Sequence, residues 1–279
     1  MIRVVTDTTS SLTLEQYRRY GITAVPLYVR RDEVIKKELY ELSYEEFYRE
    51  QRAGVKFFTS QPDPQSFLEV FRQIIEAGDE VVCVTISSKI SGTINAANLA
   101  KELLASDGIT IFDSQESGIN QAAMAIRAAE MAGAGESRAT ITAALEAMRA
   151  RKRVFFVVET LRYLYEGGRL NGIQALIGSI IQLKPIVWFD NAGVMTSLEK
   201  VRTLKAAKAR SLELIREQAK LGVEQVGLHY GDNLEEAKEF AGEFEKIVGM
   251  PVPLVQVSPV IAVHTGPDLL GPCIITKKV

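Results

Sequence analysis

Short apolar runs separated by longer amphipathic stretches recur along this whole chain, and few folds accept that pattern. Ile2–Val5, Ile22–Val29, Val81–Ile86, Ile109–Phe112 and Val154–Val158 read as strands. Ile186–Phe189, Gln225–His229, Leu254–Val257 and Cys273–Thr276 continue the series. The segments between them carry helix signals. Asp63 stands as N-cap with Pro64 at the first helical position, and Phe67, Val70, Phe71, Ile74 and Ile75 form one stripe over Pro64–Glu76. Ser43-Tyr44-Glu45-Glu46 is a capping box that opens another helix. Ala122–Met131 and Thr140–Arg151 are alanine-rich, while Thr203–Lys220 and Leu234–Val248 are charged along one side. Such alternation predicts an α/β fold, a parallel or mixed sheet with helices packed on it. Tyr28–Leu39 breaks the rhythm and reads as a small hairpin. The shift from alanine-rich helix to fresh strand near residues 150–165 marks a boundary in a chain of 279 residues, long enough for two domains.

Bulk charge excludes some partners. With 33 basic against 35 acidic residues, a formal net charge of −2, the chain offers no basic stripe to nucleic acid. Cys83 and Cys273 lie inside apolar runs and read as small buried hydrophobes in a reducing compartment. Two histidines without paired Cys/His spacing predict no metal site. The N-terminus lacks the apolar core of a signal peptide, and the longest apolar stretch, residues 173–181, is too short to cross a bilayer. The expectation is a cytoplasmic protein without integral membrane association.

The polar residues are clustered. "TDTTSS" (residues 6–11), "SSKISGT" (87–93) and "DSQES" (113–117) each follow an apolar run, as does "YGDN" (230–233). Open α/β sheets bind ligands beyond the carboxyl ends of their strands, so the first three loops are expected to converge. Ser91-Gly92-Thr93 meets a helix start, whose free N–H groups suit an anion, carboxylate or phosphate alike. Phe57 and Phe58 beside Thr59 and Ser60 suggest a site with an apolar body and a polar end. His264 stands in an apolar run before Thr265-Gly266-Pro267, a turn expected to bring it to a strand rim. Arg169 follows a glycine pair and precedes a segment apolar nearly all round (Ile173, Ile177, Ile180), which is buried or covers a cavity.

"TDTTSSL", "TSQPDP", "ISSKISGTINAA", "DSQ", "TLRYLYEGGRL", "KPIV", "EKVRTLKAA" and "VSPVIAVHTGPDLLG" occur in this order. On these motifs the chain resembles the DegV family of fatty-acid-binding proteins along essentially its whole length. The resemblance implies a mainly parallel sheet flanked by helices plus a second α/β domain with a mixed sheet. The division would fall between residues 1–158 and 159–279, with the ligand between them. It implies a lipid-binding protein rather than an enzyme, without catalytic residues or cofactor. One long-chain fatty acid would thread an apolar tunnel lined by Phe57, Ile173, Ile177 and Ile180. The carboxylate contacts fall on Thr59 and Ser60, on Ser91, Gly92 and Thr93, and on His264 and Thr265. In bacteria with a fatty acid kinase, such proteins present the acid to a separate ATP-binding subunit, which makes acyl-phosphate for phospholipid synthesis. Arg169 in "GGR" and Arg202 in "KVRT" match the positions linked to that step. The chain departs from the family pattern at "DSQESGINQ".

Other classes fit less well. A serine hydrolase using Ser91 and His264 lacks the G-x-S-x-G elbow. A self-sufficient kinase lacks the glycine-rich phosphate loop with its lysine. A dihydroxyacetone-kinase-like subunit carrying a triose on His264 is the alternative from another class.

Overall fold

Val81, Val82, Cys83 and Val84 are all fully buried, because both faces of their strand are covered. The computed structural model describes residues 1–169 and 184–279. From the N-terminus it runs β1 (Ile2–Asp7), α1 (Leu14–Tyr20), β2 (Ile22–Val25), β3 (Tyr28–Arg31), β4 (Val34–Lys37) and α2 (Tyr44–Arg52). Next come β5 (Phe58–Ser60), α3 (Pro64–Glu76), β6 (Glu80–Thr85), α4 (Thr93–Leu104), β7 (Ile109–Asp113), α5 (Gly118–Gly133) and α6 (Arg138–Arg151). The later part holds β8 (Lys152–Val154), β9 (Phe156–Val158), α7 (Arg162–Glu166), β10 (Ile186–Phe189), β11 (Met195–Glu199) and α8 (Leu204–Ala219). It ends with β12 (Val223–Tyr230), α9 (Leu234–Val248), β13 (Leu254–Gln256), α10 (Pro259–Thr265) and β14 (Leu269–Thr276).

Three sheets result among the described residues. β2-β1-β6-β7 is parallel throughout. Its alternate residues serve two cores: Val81 and Cys83 pack with Phe67, Phe71 and Ala97 of α3 and α4, whereas Val82 and Val84 meet Met124 and Leu145 of α5 and α6. The second sheet is mixed, in the order β11-β10-β9-β14-β12-β13, with β8 also pairing to β14. Ile215, Phe240 and Phe244 of α8 and α9 cover one of its faces. The third is the antiparallel β4-β3-β5, whose first two strands are the expected hairpin. Between hairpin sheet and mixed sheet lies a further core that includes Leu27, Phe47, Phe156, Leu164, Val187 and Ile261.

Several expectations shift. β8 and β9 pair with β14, Val154 opposite Cys273 and Val158 opposite Leu269. The sheets therefore divide before Lys152 rather than after Val158. The run at residues 22–29 is interrupted at Pro26, which has no N–H to give a ladder, and becomes two strands in different sheets. α5 begins at Gly118 (φ 61°), where a Cβ would stand 2.2 Å from His229 Nε2. Ser43 caps α2 by accepting from the Glu46 N–H at 3.4 Å, one half of the expected capping box. Cys83 and Cys273 are free and buried, which pushes both thiols up. No helix among the described residues is long and apolar enough to cross a membrane.

Candidate ligand-binding site

A cavity opens between the hairpin sheet, α10 and the loop after β6, with about 570 Å³ of space inside its walls and mouth. Its apolar lining includes Leu27, Ile86, Phe156, Leu164, Met195 and Ile261, while Thr59, Ser60, Gln61, Ser91, Arg169 and His264 supply polar groups.

β5 delivers Thr59 by strand alternation. Phe58 faces outward, half-exposed beneath the Arg30 guanidinium at 4.6 Å, so Thr59 turns inward. α10 delivers His264 from its last turn, not from a strand rim as expected: Ser258 and Pro259 start a helix that runs on to Thr265. The Thr59 hydroxyl and His264 Nε2 lie 2.8 Å apart. The ring's Nδ1 is enclosed and has no partner among the described residues; it lies against Gly167, where a Cβ would stand 2.1 Å away. Placing the proton on Nε2 avoids a buried unsatisfied N–H, and Thr59, accepting from the ring, then has its O–H free to donate into the cavity. Burial, reinforced by the Arg169 charge, pushes His264 down to about 3. The imidazole is neutral at physiological pH.

The positive charge at this end therefore comes from Arg169. Its Nη1 donates to Gly167 O at 2.6 Å and its Nε to Ile90 O at 3.3 Å, tying the turn after α7 to the loop after β6. Burial depresses the guanidinium, and among the described residues no carboxylate forms an ion pair with it. A half-buried cation that among the described residues bonds only neutral carbonyls is a ready counter-ion for an anionic ligand.

The other expected residues separate. Thr265 lines the cavity; Ser60 sits at the exposed end of its strand and also lines it. Ser91 Oγ lies 2.9 Å from Thr93 Oγ1 and accepts from Thr93 N, organising the start of α4. Thr93 itself is fully buried and does not line the cavity. Nor does Gly92: a Cβ there would stand 2.0 Å from Gln61 Oε1, so its bareness makes room for the Gln61 side chain. Phe57 packs on Phe47 at 4.8 Å and borders a separate groove beside α2. Arg202 is exposed before α8, away from the lining. Ile173, Ile177 and Ile180 lie outside the described residues.

Sequence reasoning passed over Gln61, although it stands inside the quoted "TSQP", and Ile90 inside "SSKISGT". Phe156, Met195 and Leu27 carried no local signal beyond being apolar. The expected convergence of the polar loops holds in another sense. Asp7 accepts from Ile86 N at 2.8 Å, Ser87 N donates to Glu116 O at 2.8 Å, and Thr9 donates to Gln121 Oε1 at 2.9 Å. These side chains are buried and mostly satisfy one another; from these loops the cavity takes Ile86, Ile90, Ser91 and Ser117.

The model described as an uncharacterised protein of the DegV family matches residues 1–277. A DegV domain-containing protein of Listeria monocytogenes is 36% identical over 274 residues, 97% of this chain and 96% of that one. Among solved structures, DegV of Bacillus subtilis, described as a fatty acid binding protein, superposes with a TM-score of 0.90 at 34% identity over 99% of both chains. A stearic acid-binding protein from Eubacterium ventriosum gives a TM-score of 0.90 at 29% identity, again over 99% of both. The parallel sheet, the mixed sheet and the motifs around the cavity fit that company, and the chain belongs to the DegV family.

Proposed function

We propose that this protein holds one long-chain fatty acid, its carboxylate at the Thr59–His264–Arg169 end and its acyl chain along the apolar walls. The observation that carries the reading is the pairing of a half-buried guanidinium and a hydroxyl–imidazole pair with a mainly apolar cavity. A buried carboxylate needs charge-assisted donors or it protonates; Arg169 and the Thr59 O–H supply them. The tail provides most of the affinity. About fourteen methylenes at roughly 0.8 kcal/mol each give on the order of 11 kcal/mol before the costs of association and ordering. The family resemblance adds presentation of the bound acid to an ATP-dependent kinase subunit, with exposed Arg202 available for docking.

The rival chemistries have poorer geometry. His264 Nε2 is engaged by Thr59 and Nδ1 is sealed against Gly167, so neither nitrogen is open to a triose adduct. Ser91 is bonded to Thr93 rather than to the histidine, unlike a hydrolase nucleophile. Native mass spectrometry of the purified protein tests the reading: a fatty acid released on denaturation is expected, and a covalent adduct overturns it. His264→Ala should retain less acid than wild type while keeping its fold by circular dichroism. Arg202→Ala should hold the acid normally and slow only the acyl-phosphate formed with an added kinase subunit.

A further inference from the structure

Glu38, just after β4, is fully buried and does not line the cavity, yet it joins three segments that do or that support it. Its Oε1 accepts the Val260 N–H at 2.6 Å, in the first turn of α10. Its Oε2 accepts the Thr8 hydroxyl at 2.6 Å. The Thr8 oxygen accepts in turn from Leu27 N at 3.1 Å, and Glu38 N donates to Leu27 O at 2.9 Å. Leu27 and Val260 line the cavity, as do Ile261, His264 and Thr265 further along α10. That helix has no side-chain cap from its own N-cap residue, Ser258. Glu38 supplies from a distance in sequence the acceptor that the helix start lacks.

We propose that Glu38 is the positioning residue of this site, anchoring α10 and thereby setting His264 and the Val260–Ile261 wall, so that its charge state tunes affinity for the fatty acid. The inference rests on the fatty-acid reading above and adds regulation to it. The groups facing Glu38 are Asp7 and Thr8 from β1 and the turn after it, Tyr17 from α1, Tyr44 and Tyr48 from α2, and Ser258 and Val260 N–H from α10. None is a cation. Burial accordingly pushes Glu38 up to about 7, with the Thr8 and Val260 bonds opposing. The phenols are raised further from ionisation, and His264 stays neutral, so neither changes charge near neutrality. Asp7 is raised too, and holds Ile86 on the opposite wall.

The direction follows from hydrogen-bond chemistry. As a carboxylate, Glu38 accepts from Val260 N and Thr8 at once, with charge assistance. As an acid it carries a proton of its own, and its bond to Val260 N drops to neutral strength. α10 is held more firmly by the anion, so affinity should rise with pH through neutrality.

Fluorescence titration with cis-parinaric acid, at about pH 6 and about pH 8, tests this in wild type and in Glu38→Gln, an isostere that cannot ionise. Ionisation of the probe is common to both proteins and cancels in the comparison. Wild type should gain about threefold or more in affinity across that interval relative to Glu38→Gln, which should resemble acidic wild type throughout. An equal slope in the two proteins overturns the inference alone. If Glu38→Gln fails to fold by circular dichroism, the wild-type profile for a competing alkyl sulfonate, whose head group stays ionised throughout, decides: a midpoint near 7 supports the assignment, and a flat profile overturns it. Wild type that takes up no probe at either pH sinks the fatty-acid reading itself.

Discussion

At the scale of single residues, the site depends on what is missing as much as on what is present. Gly167 has φ −78° and ψ −6°, a conformation open to any residue, so only close neighbours, His264 and the Tyr163 carbonyl at 3.0 Å from a Cβ, oppose a side chain there. A methyl group there would meet His264 Nδ1 at 2.1 Å and displace the ring from Thr59. Gly167→Ala should therefore weaken fatty-acid binding by about tenfold or more while the melting temperature moves by only a few degrees, as ligand titration and thermal unfolding would report. Thr59, Ser91 and His264 were legible in the sequence because motifs carry them. Their division of labour was not. Ser91 lines the cavity and also bonds Thr93, and Arg169, expected in the kinase-linked step, lines the same cavity. Orientation decided both, and orientation comes from packing between segments far apart in the chain.

At the scale of elements, local signals were read well where the physics is local. α3 and α9 occupy the expected residues at both ends, because caps and apolar stripes act within one or two turns. Asp63 accepts from Ser66 N at 2.8 Å and from Ser66 Oγ at 3.1 Å. Asp63→Ala should cost about 1 kcal/mol and lower the melting temperature by a few degrees, with fatty-acid affinity kept; calorimetry and titration on one sample would separate the two. Strand partnership was harder to see. β8 and β9 follow α6 without a linker, so composition groups them with what precedes, yet both pair with β14 near the other end of the chain, and β9 also with β10. His264 reads as a strand-rim residue from the Thr265-Gly266-Pro267 turn after it, and lies instead in the last turn of α10. Pro259 behind Ser258 was the overlooked helix signal.

At the scale of the whole molecule, one buried ion pair links the loop after β7 to the mixed sheet. Lys152 of β8 donates to Gln115 O at 2.9 Å and to Glu116 Oε1 at 3.2 Å, its side chain 4% and the glutamate's 1% exposed. Removing one charge strands the other out of water. Lys152→Met should destabilise the protein by about 3 kcal/mol or more, and Lys152→Met with Glu116→Gln should recover part of that, as denaturant midpoints would show. The turn between β10 and β11 makes a second link, Ser87 Oγ donating to Gly193 O at 2.7 Å beside the strand that bears Met195.

The cavity wall has a corresponding mixed ancestry. Thr59 comes from the hairpin sheet, Ser91 from the loop above the parallel sheet, and Phe156 and Met195 from the mixed sheet. An occupant touching all of them is mortar as well as freight. If the proposed fatty acid fills the chamber, it braces the joint between these three stones, and the protein stripped of lipid should be cut faster by proteases than the loaded form.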